Sequence, residues 1–406
     1  MFITSYLRHF KSLPFQLIAT IALGVLIHSV APPIVLDSLF TAGAVFKDLL
    51  MMFIPFVVAG YLMSSLTSFD RKSLILVLAV ALLAVVAGFV TVFLAYGIAQ
   101  IAFPFMKLSP IATGCALEGP QCVKQLWALP FKSPLTPSVA IVCALVLGFA
   151  AVLADIKPLK NFAETLRVSS TYVLKRYFIP LLPLYVLAVV LKIQSEGTLV
   201  LLLKDYGKVF GLMHASLFTL FVVLLAISTR FSFKSFKENI KALISPAITA
   251  FSTMSGVATM PILVDSISER LKSKTYPGFV IPLTTNIHTF GDGFVVTLNA
   301  LALLTMATGV IPPLDVFIGY ALYYCLARFF NACVPGGGAL IMAPFVQTSL
   351  GLPTEFLGLF MTLYMLQDPL ITMWNTLGNG LFALATHPWF ASFFKKKVKP
   401  STKAAA

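Results

Sequence analysis

Three short polar islands interrupt a chain that is otherwise mostly hydrocarbon. Ser252-Thr-Met-Ser-Gly-Val-Ala-Thr-Met-Pro261 is small and hydroxylated, Asn286-Ile-His-Thr-Phe-Gly-Asp-Gly293 carries titratable side chains, and Val334-Pro-Gly-Gly-Gly-Ala339 is nearly bare backbone. A fourth set, Asp368, Thr372, Asn375, Thr376 and Asn379, recurs every three or four residues, so a helix would carry it as one polar stripe. The chemistry these islands suit is the holding of ions and small polar solutes. Helix ends at Ser255 and Gly256 would aim free N–H groups at an anion, with tight packing of small residues as the plainer reading. Gly336, Gly337 and Gly338 give backbone access and flexibility. Carboxylates and hydroxyls suit a hard cation. The chain holds no convincing pairing of a nucleophile with a base and no zinc-like cluster, so an enzyme is not expected and neither is a cofactor.

These islands need elements that bring backbone breaks to one place. The 406 residues are 59% hydrophobic and 11% charged, with a mean hydropathy of +0.94. Soluble domains carry about 25% charge, so a soluble enzyme is excluded. The apolar runs are continuous rather than alternating, which excludes a β-barrel. The fold class expected is an all-α polytopic membrane protein. The net charge of +14 does not point to nucleic acid. Basic clusters at 8–11, 71–72, 157–176, 230–241, 270–274 and 395–403 fall on one side if the N-terminus is inside, as the positive-inside bias requires. Both termini are then cytoplasmic, and no cleavable signal is read. Cys143, Cys325 and Cys333 are read as small packing residues. Cys115 and Cys122 share an outer loop, where a disulfide and two free thiols are both open.

In chain order, spans are read at 15–30, 39–66, 74–103, 138–153, 178–193 and 209–228, with an amphipathic segment at 155–176. Lys47 and Asp48 read as an interfacial pair. The pattern then changes. Residues 236–250 are charged at their start and short of the roughly 20 residues a crossing needs. The hydroxylated tip follows, and 261–267 returns to a basic inner turn, which makes a re-entrant hairpin. Residues 280–308 cross with a break at 286–293. Residues 315–330 and 339–350 form a second hairpin of opposite orientation around 331–338, and 356–385 is the last span. Non-helical backbone at membrane depth survives only where protein or a polar cavity satisfies it, and paired broken segments point to a transporter's site.

On these residues the chain resembles the dicarboxylate/amino acid:cation symporter family, the glutamate-transporter homologues. Thr253-Met-Ser-Gly-Val-Ala-Thr-Met-Pro261 resembles the family's serine-rich first tip, Val334-Pro-Gly-Gly-Gly338 its Val-Pro-Gly-Ala-Gly second tip, and Ser349-Leu-Gly-Leu-Pro353 the turn that follows. Pro282-Leu283 opens the seventh span as in the family. The resemblance implies eight transmembrane helices plus two re-entrant hairpins in inverted repeats, an elevator mechanism and a homotrimer in the inner membrane. It assigns 1–69 and 112–205 to a scaffold with its outer loop, 70–111 and 206–390 to a mobile transport domain, and 391–406 to a basic tail. It also implies solute contacts from Ser255, Gly256, Val334, Gly336, Gly338, Thr372, Asn375, Thr376 and Asn379. The ion-coupling set is Asn286, His288, Asp292, Arg328 and Asp368.

The departures from the family pattern bear on coupling. Aligned without a gap from Pro282, His288 replaces the ion-binding Asn of the Asn-Met-Asp-Gly-Thr break and Phe290 its Asp; a two-residue shift instead matches Asp292-Gly293 to that Asp-Gly. Thr372 stands where an amino-group-binding Asp is usual, Asn375 where an Arg holds the solute's side-chain carboxylate, and Ala383 for a sodium-binding Asp. The third span lacks a Thr-Ser pair. His288 is either a proton carrier or a packing histidine. Asp292 takes a cation or pairs with Arg328, and Asp368 is placed to cap a helix opened by Pro369. An Arg at membrane depth costs at least about 2.5–3.5 kcal/mol unless paired. Arg328 therefore supplies fixed positive charge, grips a carboxylate, or pairs with Asp292 or Asp368. The function expected is symport of a small anionic solute, dicarboxylate or amino acid, coupled to sodium or protons. A passive anion channel or uniporter on the same scaffold is the alternative.

Overall fold

The computed structural model describes residues 13–67, 74–110, 123–129, 137–195, 199–285, 287–328 and 337–395, which form helices and their connections without a strand. Six segments among them are long and apolar enough to cross a membrane, and shorter apolar helices accompany them. The protein is thus built of apolar helices, as its composition requires. Asn286, Val334, Gly336, Cys115, Cys122, Cys333 and most of the terminal basic clusters lie outside the described residues.

Five helices pack as one group. α2 (Pro33–Thr67) lies against α4 (Pro137–Leu153), α5 (Lys157–Val173) and α6 (Ile179–Ser195), and α1 (Leu13–Val30) packs on α6. α5 is the amphipathic helix expected before the fifth span, but it does not end there. A π-helical turn, Leu174–Phe178, joins it directly to α6. The turn lies just ahead of Pro180 and Pro183, whose missing N–H groups interrupt the ordinary i to i−4 ladder. Side chains fasten α5 to α2: the Tyr61 and Thr171 hydroxyls are 2.7 Å apart, and Ser64 donates to Glu164 at 2.8 Å. Lys47 and Asp48 form the expected pair at 3.6 Å. Cys325 is buried, but Cys143 lies on an exposed face rather than in packing.

The remaining helices form a second group around α11 (Phe290–Thr308), which is buried along most of its length. α3 (Leu74–Met106), α7 (Leu199–Ser228) and the long α14 (Thr354–Lys395) pack against it. A buried polar chain ties three of these together: Gln367 donates to the Tyr206 hydroxyl at 2.5 Å, which donates to Asn299 Oδ1 at 2.8 Å. The group also holds α8 (Phe233–Thr253) on α9 (Gly256–Leu271), α10 (Thr275–Thr284) against α9 and α14, and α12 (Leu314–Ala327) on α13 (Gly337–Leu350). The groups touch where α14 meets α1 and α6, where α13 meets α2, and where α6 meets α7.

Three boundaries differ from the sequence reading. The broken span begins at Thr275, as α10 (Thr275–Thr284), and among the described residues 285 and 287–289 are non-helical, rather than 286–293. Gly291, Asp292 and Gly293 therefore lie in the first turn of α11. The last span runs through Pro369 and on to Lys395 without interruption. Asp368 is thus an interior residue of α14 and caps nothing. Finally, the arms of the first hairpin extend to Thr253 and from Gly256, leaving a tip of only two residues.

Candidate functional site

The first tip is a sharp reversal made by local chemistry. Met254 ends α8 in the left-handed conformation, φ 50°, and Ser255 caps α9 by accepting from Ala258 N–H at 3.3 Å. The Ser255 hydroxyl is thereby occupied, and it is Met254 and Gly256 that face inward. They line a narrow cavity with Thr259 and Met260 of α9, Thr285 and Thr289 of the break, Asp292 of α11 and Gly338 of α13. Tyr364, Asp368, Thr372, Asn375, Thr376 and Asn379 of α14 close it. Both hairpins, the break and the polar stripe therefore meet at one place. The cavity is about 40 Å³, room for roughly three waters at about 10–15 Å³ each.

Asp292 is the electrostatic centre. It is 1% exposed, and three donors converge on its carboxylate. The Tyr364 hydroxyl donates to Oδ1; Asn375 Nδ2 donates to Oδ2 at 3.0 Å, and Arg328 Nη1 lies 3.2 Å from the same oxygen. Asn375 does more than this. Its Oδ1 accepts from the Gly291 N–H at 2.8 Å and the Asp292 N–H at 3.1 Å, the first free amides of α11. A helix start needs acceptors for such amides. Thr289, at the cap position, offers none through its side chain, so Asn375 caps α11 from a neighbouring helix. Asn375 thus holds the broken span, rather than standing free to take a solute carboxylate as the Arg in the family pattern does. Two glycines allow the close approach. A Cβ on Gly291 would sit 2.7 Å from the Ile371 carbonyl oxygen, and one on Gly338 would fall 2.1 Å from the Tyr364 hydroxyl and 2.8 Å from Asp292 Oδ1.

The other predicted residues divide. Asp368 is 5% exposed and lines the cavity one turn before Thr372, whose hydroxyl is 3.5 Å from its Oδ1. Thr376 and Asn379 line it too, and Asn379 Oδ1 is buried without a hydrogen-bond partner among the described residues. His288 does not line this cavity. It faces a separate apolar cavity of about 500 Å³ between α3, α7 and α14, with its ring 4.8 Å from that of Phe382. Its imidazole packs beside Phe382 and is in side-chain hydrogen-bond contact with Asn379 of the polar stripe. Asp292, not Phe290, reaches the site; Phe290 shares the apolar cavity with His288. Arg328 stands behind Asp292 and outside the cavity lining. The geometry shows its pairing with Asp292.

Sequence reasoning missed Thr285, Thr289, Thr259 and Tyr364. For Tyr364 a signal exists: 364, 368, 372, 376 and 379 share one helical face, and a tyrosine on a polar stripe keeps its hydroxyl for a partner. Thr285 and Thr289 flank the break, and only its true position reveals them.

The profile described as "Sodium:dicarboxylate symporter family" matches residues 13–389. Among individual relatives, the proton/sodium-glutamate symport protein of Geobacillus stearothermophilus is 24% identical over 270 residues, 66% of this chain and 63% of that protein. Human excitatory amino acid transporter 2 is 28% identical over 137 residues, 34% of this chain and 24% of its own. The serine/threonine transporter SstT of Acinetobacter baylyi is 26% identical over 152 residues, 36% of this chain and 37% of its own. The chain thus spans from about a quarter to under two thirds of the length of these relatives. With the family profile matched across nearly its whole length, with six helices fit to cross a bilayer, and with both hairpins closing on one polar cavity, this chain belongs to the sodium:dicarboxylate symporter family, a family of multi-pass membrane transporters.

Proposed function

We propose that this protein is a secondary active symporter of a small carboxylate-bearing solute, which it holds between its hairpin tips and carries across the inner membrane by an elevator motion as a homotrimer. The observation that carries the reading is the convergence of Gly256, Gly338, Asp292 and the α14 stripe on one cavity. The mobile unit is α3 with α7–α14 and the fixed scaffold is α1, α2 and α4–α6; the packing of the helices into these two groups supports that division. Both termini are placed in the cytoplasm, on the side of the basic loops.

Between a dicarboxylate and an amino acid, the lining favours an amino acid with an uncharged side chain. Among the described residues the cavity walls carry two carboxylates, Asp292 and Asp368, and no lysine or arginine. A second solute carboxylate would face no counter-charge there. Asp368 is within one turn of Thr372, the position where the family pattern has its amino-binding Asp, so a carboxylate for an ammonium group is present after all. The solute's own carboxylate would take the amides at the hairpin tips, where helix starts favour negative charge. Counting Asp292, Asp368 and Arg328 gives −2 + 1 = −1, so one sodium ion or proton accompanying a zwitterion makes the crossing unit neutral, which low-polarity surroundings favour.

The test is uptake of labelled serine, alanine, glutamate and succinate into proteoliposomes under imposed sodium and proton gradients, with Asp368→Asn as the comparison. Concentrative uptake of a neutral amino acid that falls at least about tenfold in Asp368→Asn, one charge-assisted contact of about 1.5–3 kcal/mol, supports the reading. Equilibration without concentration would favour a passive conductor, and preference for succinate would overturn the amino acid assignment.

A further inference from the structure

Arg328 ends the first arm of the second hairpin and is 4% exposed. Its Nη1 lies 3.2 Å from Asp292 Oδ2 and donates to Thr289 Oγ1 at 2.6 Å, while its guanidinium carbon sits 4.0 Å over the Tyr324 ring. Asp292 and Thr289 line the cavity; Arg328 does not. A carboxylate and a hydroxyl from consecutive turns around a helix break are the oxygen ligands a hard monovalent cation would use. Here one guanidinium nitrogen touches both. Arg328 Nε has no hydrogen-bond partner among the described residues. The aromatic face of Tyr324 adds a cation–π contact to the charge.

We propose that Arg328 is a built-in counter-ion for Asp292. Its guanidinium occupies the position between Asp292 and Thr289 that a free sodium ion would otherwise take, so this part of the site is charge-complete without one. The cation is then tethered to the hairpin that meets the cavity at Gly338. Sodium, where it drives transport, acts elsewhere in the site.

The inference rests on the transport reading above, but its test reads cation binding and not uptake. The purified protein in nanodiscs is melted across a sodium chloride titration, with choline chloride holding the ionic strength constant. Arg328→Ser is expected to melt lower than wild type in choline and to gain a saturable sodium-dependent rise of several degrees beyond any wild-type response. Arg328→Lys, which keeps a tethered charge, shows no such gain. The Asp292→Asn/Arg328→Ser double variant, neutral at both positions, keeps the wild-type response and loses the gain. An Arg328→Ser protein that is merely less stable, with the wild-type response to sodium, overturns the assignment, as does a gain that survives in the double variant. Should Arg328→Ser not fold, the double variant still decides: loss of a sodium response present in wild type means that Asp292 does bind free sodium, and the proposal fails. A protein that takes up no solute yet shows the gain in Arg328→Ser would end the transport reading and leave this one standing.

Discussion

Asn375→Ala and Asn379→Ala, two truncations on one face of α14, are expected to fail in different ways. Asn375 makes three hydrogen bonds: two accepted from the first amides of α11 and one donated to the Asp292 carboxylate. Neutral bonds of this kind contribute about 1 kcal/mol each and the charged one about 1.5–3 kcal/mol, a gross loss of about 4 kcal/mol. Asn375 also borders the cavity, so water can reach the freed groups and reduce the loss to about 2–3 kcal/mol. At roughly 2–4 °C per kcal/mol for larger chains, Asn375→Ala should melt roughly 5–10 °C below wild type. Asn379 has an Oδ1 with no partner, so its truncation removes no bond at that atom from the solute-free protein. Asn379→Ala loses only the side-chain contact with His288, so the melting temperature should fall by no more than about 2–4 °C, and solute binding should weaken about fivefold, the value of one neutral hydrogen bond. The assay is melting in detergent at a fixed scan rate, which treats irreversible unfolding consistently, alongside solute-induced shifts for the affinity. Wild-type melting in Asn375→Ala, or an equal loss in both variants, would refute the assignment of Asn375 to holding α11.

Gly338→Ala should be poorly tolerated, because its Cβ would fall 2.1 Å from the Tyr364 hydroxyl; adding Tyr364→Phe removes the obstructing oxygen, and recovery of part of the lost melting temperature in the double variant would confirm that contact. A Gly338→Ala protein with wild-type melting and uptake would contradict it. His288→Phe should weaken solute affinity by no more than about fivefold, one neutral hydrogen bond, since the ring packs beside Phe382 and reaches the site only through its contact with Asn379. A large loss of affinity, measured by the same thermal shifts, would place His288 in the binding machinery after all.

How far the sequence reached can be argued residue by residue. Composition alone required apolar helices, because 59% hydrophobic residues and 11% charge cannot make a soluble surface. The small-residue tip at Ser255 and Gly256 was legible, since glycine and a hydroxylated N-cap mark a reversal in local chemistry, and the reversal is there. So was the stripe on α14, because its spacing is a property of the helix itself. The break in the seventh span was only half legible. Gly291 and Gly293 read as a break, yet both are helical, and their missing side chains instead make room for Ile371, Trp374 and Tyr324. Glycine marks close approach as readily as a turn, and only the neighbours distinguish the two. Pro369 misled for a related reason: packing carries α14 through it, overriding a local stop signal.

The sequence by itself determined which residues are polar in a hydrocarbon chain, and hence which few were worth watching. Tertiary structure decided what each of them does. It turned Asn375 into a cap for another helix and Arg328 into the partner of Asp292, and it set His288 beside Phe382 rather than on the cavity wall. Those outcomes depend on distances between helices far apart in the chain, and a buried charge or free amide accepts whichever partner the packing brings within about 3 Å.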